Sequence, residues 1–412
     1  MSKKPGRARA PAKKRSNGNR RQARAAAAAP LRYAHPFFTS TPVHLRPVSS
    51  ATGTRCMAEF AAEELGPTPA PSRPATMNLQ DIIGQPGVEE IQSVGAIRFH
   101  AVGDTGRPTG VDSQQEDVAH AMTSDFDPSA GGRNPALLLH LGDVVYGHDK
   151  EKLYRDEFYR PYMKYPGKIV AIPGNHDGET FAGTDPVSLK AFRDNFCAPR
   201  AAPPPIAKDV RIYRETMTQP GVYWLLACPF LNIIGLYSNI AEGPGNLLGA
   251  SGDGKQIKWL TSTLSSLKPD KRALVIATHH PPYSSAGHGP SVEMLKQIDT
   301  ACADAGAAPH AMLAGHSHNY QRYTRTTRFG GGGNVEIPYI VVGCGGHSDS
   351  SVVPAHGQQM GETIFEKSRK GYGYLVLTAN ATELTIEMFA VAGGVKSRFD
   401  TTTVNLASRR VS

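Results

Sequence analysis

The stretch LLLHLGDVVYG, residues 137–147, joins a short apolar run to a turn that carries an aspartate and a tyrosine. The four leucines between positions 137 and 141 predict a strand that is buried on both faces of a sheet. Gly142 ends this strand, and Asp143 and Tyr146 follow it directly. A Gly-Asp turn after a strand is ordinary loop chemistry when it stands alone. The role of Asp143 and Tyr146 therefore depends on what the other strands carry at their ends.

Composition sets the first limits on the kind of protein. The chain has 412 residues, of which 40% are hydrophobic and 20% charged, as expected for a soluble globular protein of one large or two ordinary domains. No apolar run reaches the roughly eighteen residues of a membrane span, so no span is predicted. The cysteines are widely spaced and form no CxxC pair, which argues against a disulfide framework or a thiolate zinc site and favours a reducing, cytoplasmic location. They are Cys56, Cys197, Cys228, Cys302 and Cys344.

Positive charge is concentrated at the N-terminus. Residues 1–34 contain eleven of the 45 lysines and arginines and no acidic residue, so the overall charge of +9 becomes about −2 for the rest of the chain. Residues 1–30 also lack large aliphatic and aromatic side chains. We therefore predict a disordered basic arm over residues 1–34. Such an arm can bind nucleic acid or anionic surfaces non-specifically, and a solvated tail without a binding role is the simpler interpretation.

The remaining chain divides into a polar lead-in and one layered domain. Residues 35–92 are rich in Pro, Thr and Ser and are predicted to be a linker and a loosely structured lead-in, with one short helix at 55–65. Strand and helix patterns then alternate, which predicts an α/β layered domain over 93–393 and a C-terminal tail over 394–412. Helices are predicted at 256–267 and at 292–305, the second behind an N-cap at Ser291. Strands are predicted at 96–102, 136–141, 168–172, 222–226, 232–237, 273–277, 311–314, 339–342, 374–378 and 383–389.

Five of these predicted strands end in side chains that can bind metals. Ligands in α/β sheets bind outside the carboxyl ends of the strands, so these ends are expected to converge. Hard oxygen donors together with imidazoles suit two first-row metal ions, and a carboxylate can bridge such ions at about 3.5–4 Å for in-line phosphoryl displacement. The side chains are Asp104, Asp143 with Tyr146, Asn175 with His176, His279 or His280, and His316 with His318.

These strand ends resemble the five sequence blocks of the calcineurin-like metallophosphoesterase superfamily. The blocks stand in the family's order as GDTG (103–106), GDVVY (142–146), GNHD (174–177), IATH (276–279) and GHSH (315–318). Gly106, where other branches have a metal-binding histidine, and Tyr146 make the chain similar to the purple acid phosphatases. Ile276 departs from the valine that is usual in the fourth block. The resemblance covers residues 96–390 and implies two central β-sheets that form a sandwich flanked by α-helices.

The resemblance also implies a role for each ligand. Two carboxylates and a phenolate around the first ion favour Fe(III), whereas imidazoles and an amide around the second favour a divalent iron, zinc or manganese ion, giving two metal ions per chain. His279 is preferred to His280 because residues 279–283 match the family's HxPxY pattern, and His280 is then a loop neighbour. The implied ligands are Asp104, Tyr146 and His318 for the first ion, Asn175, His279 and His316 for the second, and Asp143 as the bridge.

The expected reaction needs a nucleophile and a proton donor. A metal-bound hydroxide is the expected nucleophile for in-line attack on a phosphate ester. His176 is the candidate general acid and substrate ligand, with Asp177 expected to orient it and Asn175 expected to contact substrate. His288 lies in SSAGHGPS (284–291), which resembles a loop of the small tartrate-resistant acid phosphatases, and is predicted to contact substrate or to donate a proton. An exposed loop histidine is the alternative interpretation of His288.

Two other histidines are less strongly indicated as site residues. His347 is a weaker site candidate, and His140, inside its strand, is predicted to be a core histidine.

A phosphomonoesterase is the expected function, and a phosphodiesterase or nuclease of the same superfamily is the alternative. A non-catalytic binding scaffold would have lost ligand residues, but every expected ligand type is present. A protein that acts mainly by gripping nucleic acid would carry a basic folded part, which this chain lacks.

Overall fold

The computed structural model describes residues 65–106, 113–207, 214–250, 252–329, 332–352 and 357–412, together with Met1. The predicted basic arm lies outside these residues apart from Met1, as does the predicted helix at 55–65 apart from Leu65. The strands in the described residues are β1 Thr76–Asn78, β2 Ala96–Val102, β3 Leu137–His140, β4 Lys168–Ala171, β5 Trp224–Cys228, β6 Leu231–Gly235, β7 Ala273–Ala277, β8 Ala311–Ala314, β9 Tyr320–Thr327, β10 Val335–Val342, β11 Gln359–Met360, β12 Thr363–Arg369, β13 Tyr372–Asn380, β14 Glu383–Ala392 and β15 Val395–Asn405. The α-helices are α1 Leu79–Val94, α2 Gln114–Thr123, α3 Lys150–Leu153, α4 Asn175–Gly178, α5 Lys190–Phe196, α6 Lys255–Leu267 and α7 Val292–Ala305.

The strands form two sheets. The larger has the order β1-β5-β6-β7-β8-β10-β9-β12-β11, and the smaller has the order β15-β14-β13-β2-β3-β4. Strands β2, β3 and β4 are parallel to one another, and so are β6, β7, β8 and β10. Each parallel set carries its functional loops at the carboxyl ends of its strands. This is the mixed α/β architecture with two central sheets that the resemblance implies.

Neighbouring residues on the central strands point into different cores. In β7, Val275 belongs to the hydrophobic cluster that includes residues of both sheets, whereas Ile276 belongs to the cluster beneath α6 and α7. Both side chains are fully buried. The outer cluster includes Leu264 of α6 and Ile298 of α7. The larger sheet is therefore covered on both faces, which explains the uninterrupted apolar sequence of its central strands.

The opening stretch forms the strand that its sequence predicts. The leucines of β3 are at most 1% exposed because the strand lies between β2 and β4 in the smaller sheet. His140, at its end, is a core histidine whose Nε2 lies 2.8 Å from the Thr105 hydroxyl. Gly142 has φ +95 and turns the chain out of the sheet. Asp143 follows at the point where the chain leaves the strand.

The segments before and after the predicted domain differ from expectation. Within the predicted lead-in, β1 pairs with β5, and Ile83 and Ile91 of α1 are buried in the inter-sheet core. The predicted tail contains β15, which pairs with β14 along its whole length. The predicted N-cap at Ser291 makes no capping hydrogen bond, because the Ser291 hydroxyl instead accepts the Gly245 N–H. In each case long-range packing overrides the local pattern.

Two further expectations concern cysteines and membranes. Cys197, Cys228, Cys302 and Cys344 are free thiols in the structure, and Cys56 lies outside the described residues. Across the described ranges, no helix combines the length and the apolar character that crossing a bilayer requires.

Candidate dinuclear metal site

The carboxyl ends of the two parallel strand sets meet at one place. The His279 ring, beyond β7, donates from Nδ1 to the Leu141 carbonyl beyond β3 at 2.9 Å. The Gly103 N–H, beyond β2, donates to the Val342 carbonyl at the end of β10 at 3.1 Å. These bonds join the larger sheet to the smaller one. Beyond β4 and β8, the His176 N–H donates to Asp143 Oδ1 at 3.0 Å and the His316 N–H donates to Asp104 Oδ2 at 2.8 Å. The five strand ends predicted from sequence therefore converge on a single site.

One group of donor atoms contains two oxygens and a nitrogen. The Tyr146 hydroxyl lies 3.2 Å from Oδ1 of Asp104 and 3.4 Å from Nε2 of His318. The third side of this triangle, from His318 Nε2 to Asp104 Oδ1, is 3.4 Å. Three donors at such separations can all bind one ion. They are the three side chains that the resemblance assigns to the first metal.

A second group of donor atoms lies around His279. Its Nε2 lies 3.1 Å from Oδ1 of Asn175 and 3.3 Å from Oδ2 of Asp143. One ligand atom from each of Asp143, His279 and His316 lies within 4.8 Å of the other two. Asp143 also lies close enough to the Tyr146 phenol of the first group for its charge to help raise the pKa of that phenol. A single carboxylate therefore stands between the two groups, as a bridging ligand would.

The backbone at this site is held in an uncommon conformation. Asp104, Asp143 and His316 have φ values of +58, +52 and +67, in the left-handed region that non-glycine residues seldom occupy. Gly174 allows this arrangement, because a Cβ at that position would lie 2.1 Å from Oδ1 of Asp143. Such conformations cluster at functional sites, where surrounding structure compensates their cost.

The choice between His279 and His280 follows from their ring nitrogens. Because His279 donates from Nδ1 to a carbonyl, its Nε2 is the nitrogen that faces the site. Burial opposes the charged ring, but the carboxylates of Asp143 and Asp104 raise the pKa of His279 to about 9, so a metal ion would bind Nε2 in place of its proton. His280 is fully buried and uses both nitrogens within the protein: Nδ1 lies 2.8 Å from the Ser238 hydroxyl, and Nε2 lies 2.8 Å from the Ala241 carbonyl. His279 is therefore free to bind a metal and His280 is not.

His176 is oriented by a different carboxylate from the expected one. Its Nδ1 lies 2.9 Å from Oε1 of Glu179, one turn further along the chain. The Asp177 carboxylate instead accepts the backbone N–H groups of Gly174 and Val144. Asp177 thus fixes the loop, and the expectation that it orients His176 is wrong. The i, i+3 spacing of His176 and Glu179 is the sequence signal that could have identified this pair.

His288 and an unpredicted glutamate lie at the mouth of the site. The His288 ring is 4.5 Å from the His316 ring, so the predicted loop brings it to the ligands. Glu242 lies between the candidate catalytic histidines, with its oxygens 3.7 Å from Nδ1 of His288 and 3.8 Å from Nε2 of His176. Glu242 also accepts a hydrogen bond from Asn175 Nδ2 at 3.2 Å. It lies in a glycine- and proline-rich loop without periodicity, and no sequence signal identified it.

The charges of the site favour a bound cation. Burial opposes ionisation of Asp143, but the nearby His279 and His176 rings outweigh it and lower the pKa of this carboxyl well below its usual range. For Tyr146, burial and the carboxylates of Asp143 and Asp104 raise the phenol pKa well above its usual value. Two ionised carboxylates will attract metal ions, and only a highly charged ion can hold the phenol as phenolate.

The donor set fits two metal ions. It contains two carboxylates, a phenol, an amide and three imidazoles, divided between two groups with one shared carboxylate. This mixture of oxygen and nitrogen donors suits first-row transition metals, and it does not suit calcium, which prefers oxygen throughout. The residues present are therefore suited to hold the two ions that the sequence predicts.

Comparison with known proteins agrees with this geometry. The sequence profile of the calcineurin-like phosphoesterases matches residues 97–320, more than half of the chain. The chain belongs to this family. A second profile, for the C-terminal part of iron/zinc purple acid phosphatase-like proteins, matches residues 337–398. Those residues include all of β13 and β14 and the start of β15, so the family's C-terminal part contributes the antiparallel strands of the smaller sheet.

The chain is similar in sequence to tartrate-resistant acid phosphatases. Human tartrate-resistant acid phosphatase type 5 is 27% identical over 327 residues, which cover 74% of this chain and 90% of that protein. The mouse protein of the same name is 30% identical over 273 residues, covering 62% and 74% of the two chains. A solved structure of GAP50, the anchor in the inner membrane complex of Plasmodium, has a TM-score of 0.51 at 12% identity and covers 74% of this chain and 89% of that one. That similarity concerns the fold alone.

Proposed function

We propose that this phosphoesterase is a dinuclear acid phosphatase that hydrolyses phosphomonoesters. The observation that carries the proposal is the arrangement of seven donors in two groups around the shared carboxylate of Asp143. Asp104, Tyr146 and His318 would hold one ion, and Asn175, His279 and His316 the other. The proposed occupants are Fe(III) at the first position and a divalent iron, zinc or manganese ion at the second.

The bound ions would supply Lewis acidity, which neutralises charge on the phosphoryl group and acidifies water. The protein's own contribution is to fix the ligands and to control protons. Asp143, ionised and almost fully buried, keeps the two groups together. The Leu141 carbonyl accepts from Nδ1 of His279, so Nε2 faces the site and would bind the metal in place of its proton.

Protonation of the leaving group would fall to His176. Since Nδ1 is held by Glu179, the proton on Nε2 is the one free to move to substrate. Although burial favours the neutral ring, Asp143 and Glu179 raise the pKa of His176 to about 9, so the imidazolium form is present at neutral pH. His288, across the mouth of the site, would donate a second hydrogen bond to the phosphate, and the Asn175 amide would contact it from the floor.

A substrate comparison tests the proposal. Purified protein loaded with iron and zinc is assayed on p-nitrophenyl phosphate and on bis-p-nitrophenyl phosphate, which share a leaving group and differ in ester class. We expect the monoester to have the higher kcat/KM. A preference for the diester would overturn the phosphomonoesterase assignment in favour of a phosphodiesterase. Absence of turnover for both esters in protein that contains two metals would overturn the enzymatic function.

A further inference from the structure

The loop that follows β10 lies directly against the first group of donors. This segment, GCGGHSDS at 343–350, will be called the β10 loop. Its Gly345 N–H donates to the Gly103 carbonyl at 3.0 Å, and its His347 N–H donates to the Asp104 carbonyl at 3.0 Å. A Cβ at Gly345 would lie 2.4 Å from that same Gly103 oxygen. Glycine at position 345 therefore permits the close approach of the two backbones.

The side chain of His347 stacks on the candidate metal-binding phenol. Its ring centroid lies 3.5 Å from that of Tyr146 with an angle of 12° between the planes, so the two rings overlap face to face. Nδ1 of His347 lies 2.5 Å from the Gly106 carbonyl oxygen, which can only accept, so this nitrogen carries the proton. The imidazole is thus fixed at one edge by a hydrogen bond and at its face by the phenol. Rotation of Tyr146 about its Cβ–Cγ bond would break this stack.

The next residue of the loop contacts a second candidate ligand. The Ser348 hydroxyl is hydrogen-bonded to Nδ1 of His318, and the Ser350 N–H donates to the His318 carbonyl at 2.8 Å. Nε2 of His318 faces Asp104 and Tyr146. Ser348 therefore holds the ring of His318 with Nε2 directed at the first group of donors, as partners of metal-binding histidines do.

We propose that the β10 loop positions the two non-carboxylate ligands of the first ion, with His347 fixing the plane of the Tyr146 phenol and Ser348 fixing the ring of His318. Both are positioning residues, since each acts through a ligand. This inference rests on the proposed function, because it takes Tyr146 and His318 as metal ligands. Loss of either partner should cost about 10–100-fold in metal affinity or activity, the usual effect of removing a group that orients a ligand.

A pair of substitutions separates the stacked ring from its hydrogen bond. His347→Asn can still donate to the Gly106 carbonyl but removes the ring, whereas His347→Phe keeps a ring against Tyr146 and loses the donor. In iron-loaded, oxidised protein, a phenolate ligand gives a visible charge-transfer band whose position and width depend on how the phenol is held. We expect His347→Asn to shift and broaden this band and to lower kcat by about 10–100-fold with KM unchanged. His347→Phe should keep a band closer to that of the wild type.

A control histidine and a second pair complete the test. His148→Asn changes an exposed histidine whose ring neighbour is Phe181, and its band and kcat should equal those of the wild type. Ser348→Ala should weaken binding of the first ion in chelator competition, and Ser348→Thr, which keeps the hydroxyl, should restore it. A wild-type band and kcat in His347→Asn, together with wild-type metal affinity in Ser348→Ala, would overturn the inference. Absence of any band in iron-loaded wild type is a different failure, because it would refute ligation by Tyr146 itself.

Discussion

Replacing His176 by alanine should separate proton donation from metal binding. The ring is not itself one of the seven candidate ligands. It contacts the Glu179 carboxylate at 2.9 Å, the Glu242 carboxylate at 3.8 Å and the Tyr146 ring, whose centroid is 4.6 Å away. The variant should therefore retain both metals. What it loses is the Nε2 proton, which no other described group at this position replaces.

The size of the effect depends on the leaving group. General acid catalysis by a positioned side chain contributes about 10²–10⁴-fold, and it does so only where the leaving oxygen needs a proton. An alkyl phosphate requires this proton, so we expect kcat for such a substrate to fall by about 10²–10⁴-fold in His176→Ala. p-Nitrophenol leaves as a stable anion, so its phosphate should be slowed far less.

The assay compares the two substrates in wild type and variant, with metal content measured on the same samples. Glu179→Gln is the matched variant, because glutamine keeps a hydrogen-bonding group near Nδ1 but removes the charge. It should lower the pKa of His176 and so move the basic limb of the alkyl-phosphate pH profile to lower pH. Equal slowing of both substrates in His176→Ala would refute the role of His176 as the acid.

Four further substitutions test other parts of the structure. Asp143→Asn removes the charge shared by the two donor groups and should lose at least one metal, with kcat falling by several powers of ten; full metal content with near-normal turnover would contradict the bridge. Tyr146→Phe should abolish the visible band of iron-loaded, oxidised protein but preserve the urea-unfolding transition, and a surviving band would exclude the phenol as its source. Glu242→Gln removes a negative charge from the mouth of the site, where the side chain is 57% exposed. KM for phosphate esters should fall by about two- to fivefold, and added salt should reduce the difference. A raised KM would contradict this role of Glu242. His310 accepts the Leu274 N–H, and burial lowers the pKa of His310 from 6.5 to about 3. Its neutral form therefore stabilises the fold above pH 6.5. This contribution to the free energy of unfolding declines by about 1.4 kcal/mol per pH unit as the pH falls from 6.5 toward 3. His310→Asn keeps an acceptor without the titration, so its free energy of unfolding should fall less steeply between pH 6.5 and 4.5 than that of the wild type, and parallel curves would contradict this.

The central strands and their ends could be predicted because local pattern and tertiary role agree there. β2, β7, β8 and α7 have the predicted bounds. The apolar run of β7 fits a strand buried on both faces, and such strands end where the functional loops begin. The same reasoning predicts that Asp143 and one histidine of the pair 279–280 lie at one site.

The helix and the strand that the sequence pattern does not predict have sequences untypical of such elements. In α1, Gly84 has φ +79 and Pro86 lies two residues later, so the sequence pattern predicts a loop. Ile83 and Ile91 are nevertheless buried. β15 has a largely polar sequence, and it is stabilised by pairing with β14 at the outer edge of the smaller sheet. Local propensity is a weak guide where tertiary contacts decide the structure.

The missed site residues act through contacts that span the chain. Glu242 meets Asn175 and His176 only because two loops from different sheets come together. Ser348 meets His318 across a separation of 30 residues. Sequence spacing carries no information about such pairs, whereas Glu179, three residues after His176, was within reach of a helical-spacing argument.

Anomalous scattering from crystals of iron- and zinc-loaded protein tests the dinuclear site most directly. Data collected on either side of each metal's absorption edge locate and identify the ions without reference to activity. The proposed site predicts two peaks about 3.5–4 Å apart on either side of the Asp143 carboxylate, with iron beside Tyr146 and the divalent ion beside His279. A single peak, or two peaks outside these groups of donors, would contradict the dinuclear assignment.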